Sequence, residues 1–128
     1  MQFPCACPEV PVRDLAAALA CYRDQFGFAV DWSDERIGLA GVSRGEARLF
    51  VASDEYRACL GNRGPIVLWI NLSSRAEVDA LYAQWAGAGA RVAAAPKAQP
   101  YKLYEFSAYD IDGNVLRVFY DFAWEQGP

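Results

Sequence analysis

Two kinds of hydrophobic pattern alternate along the chain, and the alternation runs through twice. The stretch "VPVRDLAAALACYRDQFGF" reads as a strand followed by a helix. Leu15, Ala18, Leu19, Tyr22 and Phe26 recur at three- and four-residue spacing, which puts them on one helical face. Asp14 is placed to cap that helix and Gly27 to end it. Three extended stretches follow, Phe28–Trp32, Arg36–Val42 and Ala47–Ala52, the last two joined as a hairpin around Gly45. The polar, glycine-containing stretch from Ser53 to Gly64 reads as a linker.

The pattern then restarts. Pro65–Leu72 is a buried-looking strand, and Ser74–Glu77 has the Ser-x-x-Glu form of a capping box. Val78, Leu81, Tyr82 and Trp85 form the stripe of a second helix that ends near Gly87 or Gly89. A short strand over Ala90–Ala95, a loop over Pro96–Pro100 and a last hairpin, "LYEFSAYD" and "NVLRVFYD" across "DIDGN", complete the half. Ala18-Leu19 and Ala80-Leu81, Gly27 and Gly89, and Val30 and Val92 are each 62 positions apart. The expected fold class is therefore α+β, a duplicated βαβββ plan in one domain, with an N-terminal module over about 1–62 and a C-terminal one over about 65–128.

Composition narrows the function classes. The chain has 128 residues, 54% of them hydrophobic, which suits one domain with a true core. No apolar run reaches the ~18 residues of a membrane span. The N-terminus "MQFPCACPEV" lacks the basic-then-apolar pattern of a signal peptide, so the expected compartment is the cytoplasm. A net charge of −4 argues against a nucleic-acid partner, which calls for clustered Lys and Arg. Histidine is absent altogether. That removes the commonest general base and the commonest metal ligand. Of the four cysteines, Cys5 and Cys7 form half of a thiolate metal site at most, and Cys21 and Cys59 stand isolated.

At this point the sequence resembles the vicinal oxygen chelate superfamily, the glyoxalase/bleomycin-resistance/extradiol-dioxygenase group. The segments that carry the resemblance are "PVRDLAAALACYRDQFGFAVDW", "VDALYAQWAGAGARV" and "EFSAYDIDGNVLRVFYD". In the last, Ile111 stands where the family motif has proline. The resemblance implies two βαβββ modules whose curved sheets form a cleft, with the helices on the outer face, and a homodimer. In enzymatic members it implies a divalent metal held by His and Glu at four strand positions. Those positions match Cys7, seven residues before Asp14; Phe50; Val67; and Arg117, four residues after Gly113. Phe and Val offer no donor, and Arg is always cationic. No metal and no cofactor is expected. The segments are most similar to the metal-free bleomycin-resistance branch, whose members sequester a drug.

Strand alternation extends the candidate set. With Arg117 on the cleft side come Val115 and Phe119; with Cys7 comes Glu9; with Val67 come Trp69 and Asn71. Trp32, Lys102 and Tyr104 are rim candidates. Each has a plainer alternative: Trp69 as core, Phe119 as cleft floor, Glu9 and Lys102 as solvated charges, Trp32 at a dimer interface. Arg117 has three readings: paired with Glu9, bound to a ligand oxygen, or in solvent. The expected function is sequestration of an aromatic or hydrophobic small molecule, such as an antibiotic, by a homodimer without chemistry. The competing readings are a metal-free lyase or isomerase using Arg117 with Cys7 or Glu9, and a metal protein using Cys5 and Cys7.

Overall fold

The computed structural model describes residues 1–60 and 64–125. The chain divides into two compact units, Met1–Ile66 and Val67–Pro128.

In the first unit, β1 (Glu9–Pro11) leads into α1 (Leu15–Asp24), followed by β2 (Ala29–Asp34), β3 (Leu39–Arg44) and β4 (Ala47–Ala52). The sheet order is β1-β4-β3-β2, with β1 parallel to β4 and the other neighbours antiparallel. Asp14 caps α1, its carboxylate accepting from the Ala17 N–H at 3.1 Å. The helix stops at Asp24, and Gly27 (φ +75°) turns the chain back. The Arg44 guanidinium covers that turn, donating to the Phe26 carbonyl at 2.7 Å, and a Cβ on Gly27 would come within 2.9 Å of it. Leu15, Ala18, Leu19 and Tyr22 of α1 are buried with Val10, Ala40, Val42 and Val51 of the strands. Tyr22 meets Phe26 and Phe28 edge-on, with ring centres at 5.4 and 5.7 Å. Each such pair contributes about 1 kcal/mol beyond its area.

The second unit repeats the plan. β5 (Val67–Asn71) leads into α2 (Arg75–Gly87), β6 (Arg91–Val92), β7 (Lys97–Ala98), β8 (Leu103–Tyr109) and β9 (Val115–Asp121), and a short 3-10 turn follows at Phe122–Glu125. The order is β5-β9-β8-β6, with β5 parallel to β9 and β7 attached to β8. The capping box forms: Ser74 Oγ accepts from the Glu77 N–H at 3.1 Å, and the Glu77 carboxylate reaches back to the Ser73 N–H at 2.7 Å. Trp85 and Tyr82 pack edge-on against Phe106, at 5.8 and 5.4 Å, over Val78, Leu116 and Val118.

The β8–β9 turn is closed by its own side chains. Asp110 Oδ1 accepts from the Asp112 and Asn114 N–H groups at 2.8 and 2.9 Å, and the Asn114 amide donates to Asp110 Oδ2 at 2.9 Å. Both residues are buried, and Gly113 takes φ +83°. Ile111 is tolerated in place of proline because these bonds, rather than a ring, shape the turn.

Several boundaries move from the sequence expectation. The first strand begins at Glu9, which leaves Cys7 outside it: the Pro8 carbonyl accepts from the Phe50 N–H, but Pro8 has no N–H with which to extend the ladder. The second strand runs on to Asp34, and the third starts only at Leu39. Asp34 accepts from the Arg36 N–H through its side chain and from the Gly38 N–H through its carbonyl, which makes a turn of the residues between. The strand expected over Ala90–Ala95 is only Arg91–Val92, and the proline-bounded loop carries a two-residue strand of its own. Part of the expected linker, residues 61–63, lies outside the described residues.

Candidate functional site

In each unit the helix covers one sheet face and leaves the other open, and the sequence candidates divide between the two open faces. In the first unit, register places Glu9, Phe50, Gly41 and Trp32 in one row across β1, β4, β3 and β2. A bulge at Asp31, between the paired residues Val30 and Trp32, re-aims the indole. Gly41 supplies the space for it: a Cβ there would sit 2.5 Å from Trp32 Nε1. The indole therefore lies across bare backbone and meets Phe50 edge-on at 6.0 Å. Trp32 stays 42% exposed. Cys7, exposed, borders a small hollow with Asp31, Trp32, Arg48 and Phe50. The Glu9 carboxylate is taken by Arg57 in an ion pair within the same unit.

In the second unit, Trp69 stands directly opposite Arg117, and Arg117 opposite Ser107. The guanidinium carbon lies 5.2 Å from the centre of the Trp69 ring, inside cation–π range. Trp69 in turn meets Phe119 edge-on at 5.5 Å. Val67, Trp69 and Asn71 are exposed along β5, while Leu116 and Val118 are buried on the helix side of β9. Arg117 is half-buried on the open side. Two rim candidates sit elsewhere. Tyr104 lies on the helix side by alternation, where its hydroxyl donates to Asp79 of α2 at 2.6 Å. Lys102 occupies a left-handed turn (φ +70°) and points its ammonium over the Phe122 ring.

The sequence reading missed Glu105 and Tyr101. Glu105 of β8 pairs with Phe119 of β9, so it lies diagonal to Arg117 on the same face, and it is only 6% exposed. The Tyr101 hydroxyl donates to Glu105 Oε1. That hydrogen bond, with burial second, holds the Tyr101 phenol above its usual range. The signal for Glu105 was present: once the Gly113 turn is located, counting back along the hairpin puts it on the face of Arg117.

Matching hydrogen bonds relate the two sheets. Val12 N–H to the Ala52 carbonyl corresponds to Leu72 N–H to the Phe119 carbonyl. On that equivalence Cys7 matches Val67, Glu9 matches Trp69, and Phe50 matches Arg117. The set Cys7, Phe50, Val67 and Arg117 supplies one soft donor and one fixed cation, which does not fit a divalent metal. Among the described residues no group of three or more Cys, Asp and Glu is placed to hold a metal ion. Among the described residues no helix is long and apolar enough to cross a membrane.

The family model that matches, over residues 5–118, is that of the Glyoxalase/Bleomycin resistance protein/Dioxygenase superfamily. Among solved structures, one similar to this chain is a bleomycin-binding protein from bleomycin-producing Streptomyces verticillus, complexed with copper(II)-bleomycin. It is 27% identical with a TM-score of 0.70, covering 92% of this chain and 96% of that one. A lactoylglutathione lyase from Agrobacterium tumefaciens is 22% identical with a TM-score of 0.73, covering 98% and 100%. TioX from Micromonospora sp. ML1 is 18% identical with a TM-score of 0.74, covering 92% and 99%. The last two show the shared fold alone. A search of curated proteins returned no match.

Proposed function

This chain belongs to the Glyoxalase/Bleomycin resistance protein/Dioxygenase superfamily, and we propose that it is a metal-free member that sequesters an aromatic or hydrophobic small molecule, such as an antibiotic, as a homodimer. The observation that carries this reading is that Cys7, Phe50, Val67 and Arg117, which the resemblance matches to the family's metal positions, offer no donor set for a divalent metal and lie with Trp32, Trp69 and Phe119 on the open faces. A wall of that kind binds by stacking and apolar contact, about 1 kcal/mol per aromatic contact. The 27% likeness to a bleomycin-binding protein supports a drug-like ligand. The lyase or isomerase alternative has less behind it, since the Glu9 carboxylate is already engaged by Arg57.

The test is a titration of purified protein with bleomycin and with planar aromatic antibiotics, followed by tryptophan fluorescence, with the oligomeric state read by light scattering. Saturable quenching by at least one compound is expected, on a dimer. No response to any of them would sink the sequestration reading.

A further inference from the structure

The open face of the second sheet holds two opposite charges that do not satisfy each other. Glu105 is more than nine-tenths buried, and its Oε2 has no hydrogen-bond partner among the described residues. Arg117 Nε is likewise buried and unpartnered among them. Burying either atom unpaired is costly, so both are poised for a partner that supplies what they lack. The two residues are diagonal neighbours on β8 and β9, at strand positions about 7–8 Å apart in a regular sheet, so their long side chains reach a shared small group. Trp69 and Phe119 form an aromatic wall beside them.

We infer that this face takes a ligand bearing a hydrogen-bond acceptor and an N–H donor side by side, as in a carboxamide or lactam, joined to an aromatic or apolar body. The acceptor oxygen engages the Arg117 guanidinium, the N–H engages Glu105 Oε2, and the body rests on Trp69 and Phe119. A neutral edge is required because the site is itself a balanced pair. A carboxylate meets Glu105 and an amidinium meets Arg117, each with like-charge repulsion. Both protein atoms are closed off from water, so neighbouring side chains have to move aside. Tyr101 is placed to be the one that moves at Glu105, being 56% exposed and set in the Gln99–Lys102 turn with its hydroxyl on Glu105 Oε1. The inference rests on the reading of these faces as the binding surface, and it adds the ligand's chemistry.

Three probes that share a ring and differ only in the polar edge decide it: 2-naphthamide, 2-naphthoate and 2-naphthamidine, titrated by NMR of the tryptophan indole N–H signals. The amide is expected to bind at least about tenfold more tightly than either ion. Glu105→Gln, close in shape, removes the repulsion and is expected to raise naphthoate affinity selectively. Arg117→Gln is expected to do the same for naphthamidine. If either variant fails to fold, the ranking on the wild-type protein decides alone. Tightest binding by naphthoate or by naphthamidine overturns the inference, as do variants that shift all three probes alike. Equal binding by all three overturns it too, yet leaves the aromatic-binding reading standing. Binding by none overturns both.

Discussion

Trp69 and Arg117 stand directly across from each other on β5 and β9, with the guanidinium 5.2 Å from the ring centre. Arg117, which the family resemblance matches to a metal-ligand position, is thus a cation lying beside an indole. Building a metal site there takes more than one change. Arg117→Glu alone is expected to bind no stoichiometric zinc or nickel, because Val67 and Trp69 along β5 contribute no donor. Stoichiometric metal in the folded variant by calorimetry would contradict this.

Gly41 gives a test of the first face. Its φ is not in the left-handed region, so alanine meets no backbone obstacle there. The cost of Gly41→Ala falls on Trp32, whose Nε1 would lie 2.5 Å from the new Cβ. The indole is expected to swing away from Phe50, shifting tryptophan emission to the red and weakening aromatic ligands about tenfold. Stability is expected to fall by about 1–2 kcal/mol. Unchanged emission would mean that the indole does not rest on Gly41.

Arg57 balances Glu9 on that same face. Arg57→Met is expected to leave the Glu9 carboxylate without that ion pair, so planar aromatic cations bind about three- to tenfold more tightly and aromatic anions less. Because the gain is electrostatic, it is expected to shrink as salt rises. A gain insensitive to salt would point to a packing change instead.

Tyr101, Tyr104 and Tyr120 supply a pH prediction. Hydrogen bonds to Glu105 and Asp79 raise the first two phenols, and burial raises the third. A raised phenol means that folding favours the neutral form. The associated stability is complete below the unfolded value of about 10 and is lost as pH rises through the higher folded value. An alkaline titration of tyrosinate absorbance is expected to show late-ionising phenols, and Tyr101→Phe to remove one of them. A Tyr101→Phe variant that keeps every late-ionising phenol would contradict the contact with Glu105.

The fold was legible because its signals are local. Asp14, Ser74 and Glu77 announce their helices, and the apolar stripes of α1 and α2 carry the period of 3.6 that their burial later matches. The face of Arg117 stayed open in the sequence, since Val115 and Phe119 are as apolar as Leu116 and Val118; the burial of the latter two decides it. The position of Trp32 was not legible either, because a bulge at Asp31 and a missing side chain at Gly41 decide it together, and neither has a pattern of its own. Reading Tyr104 as a rim residue leaves out the hairpin count, which puts it on the helix side and Glu105 on the face of Arg117. Ion pairs such as Glu9 with Arg57 join residues far apart in the chain and leave no periodic trace.

The turn from Asp110 to Asn114 works as an indexing pin for the hairpin it closes. In a strand pair a slip of one residue exchanges the two faces. Here that would carry Leu116 out onto the open surface and drive the Arg117 guanidinium under α2, among Trp85 and Phe106. Two buried side chains at the loop end thus decide whether this sheet presents a charge or a plain apolar wall.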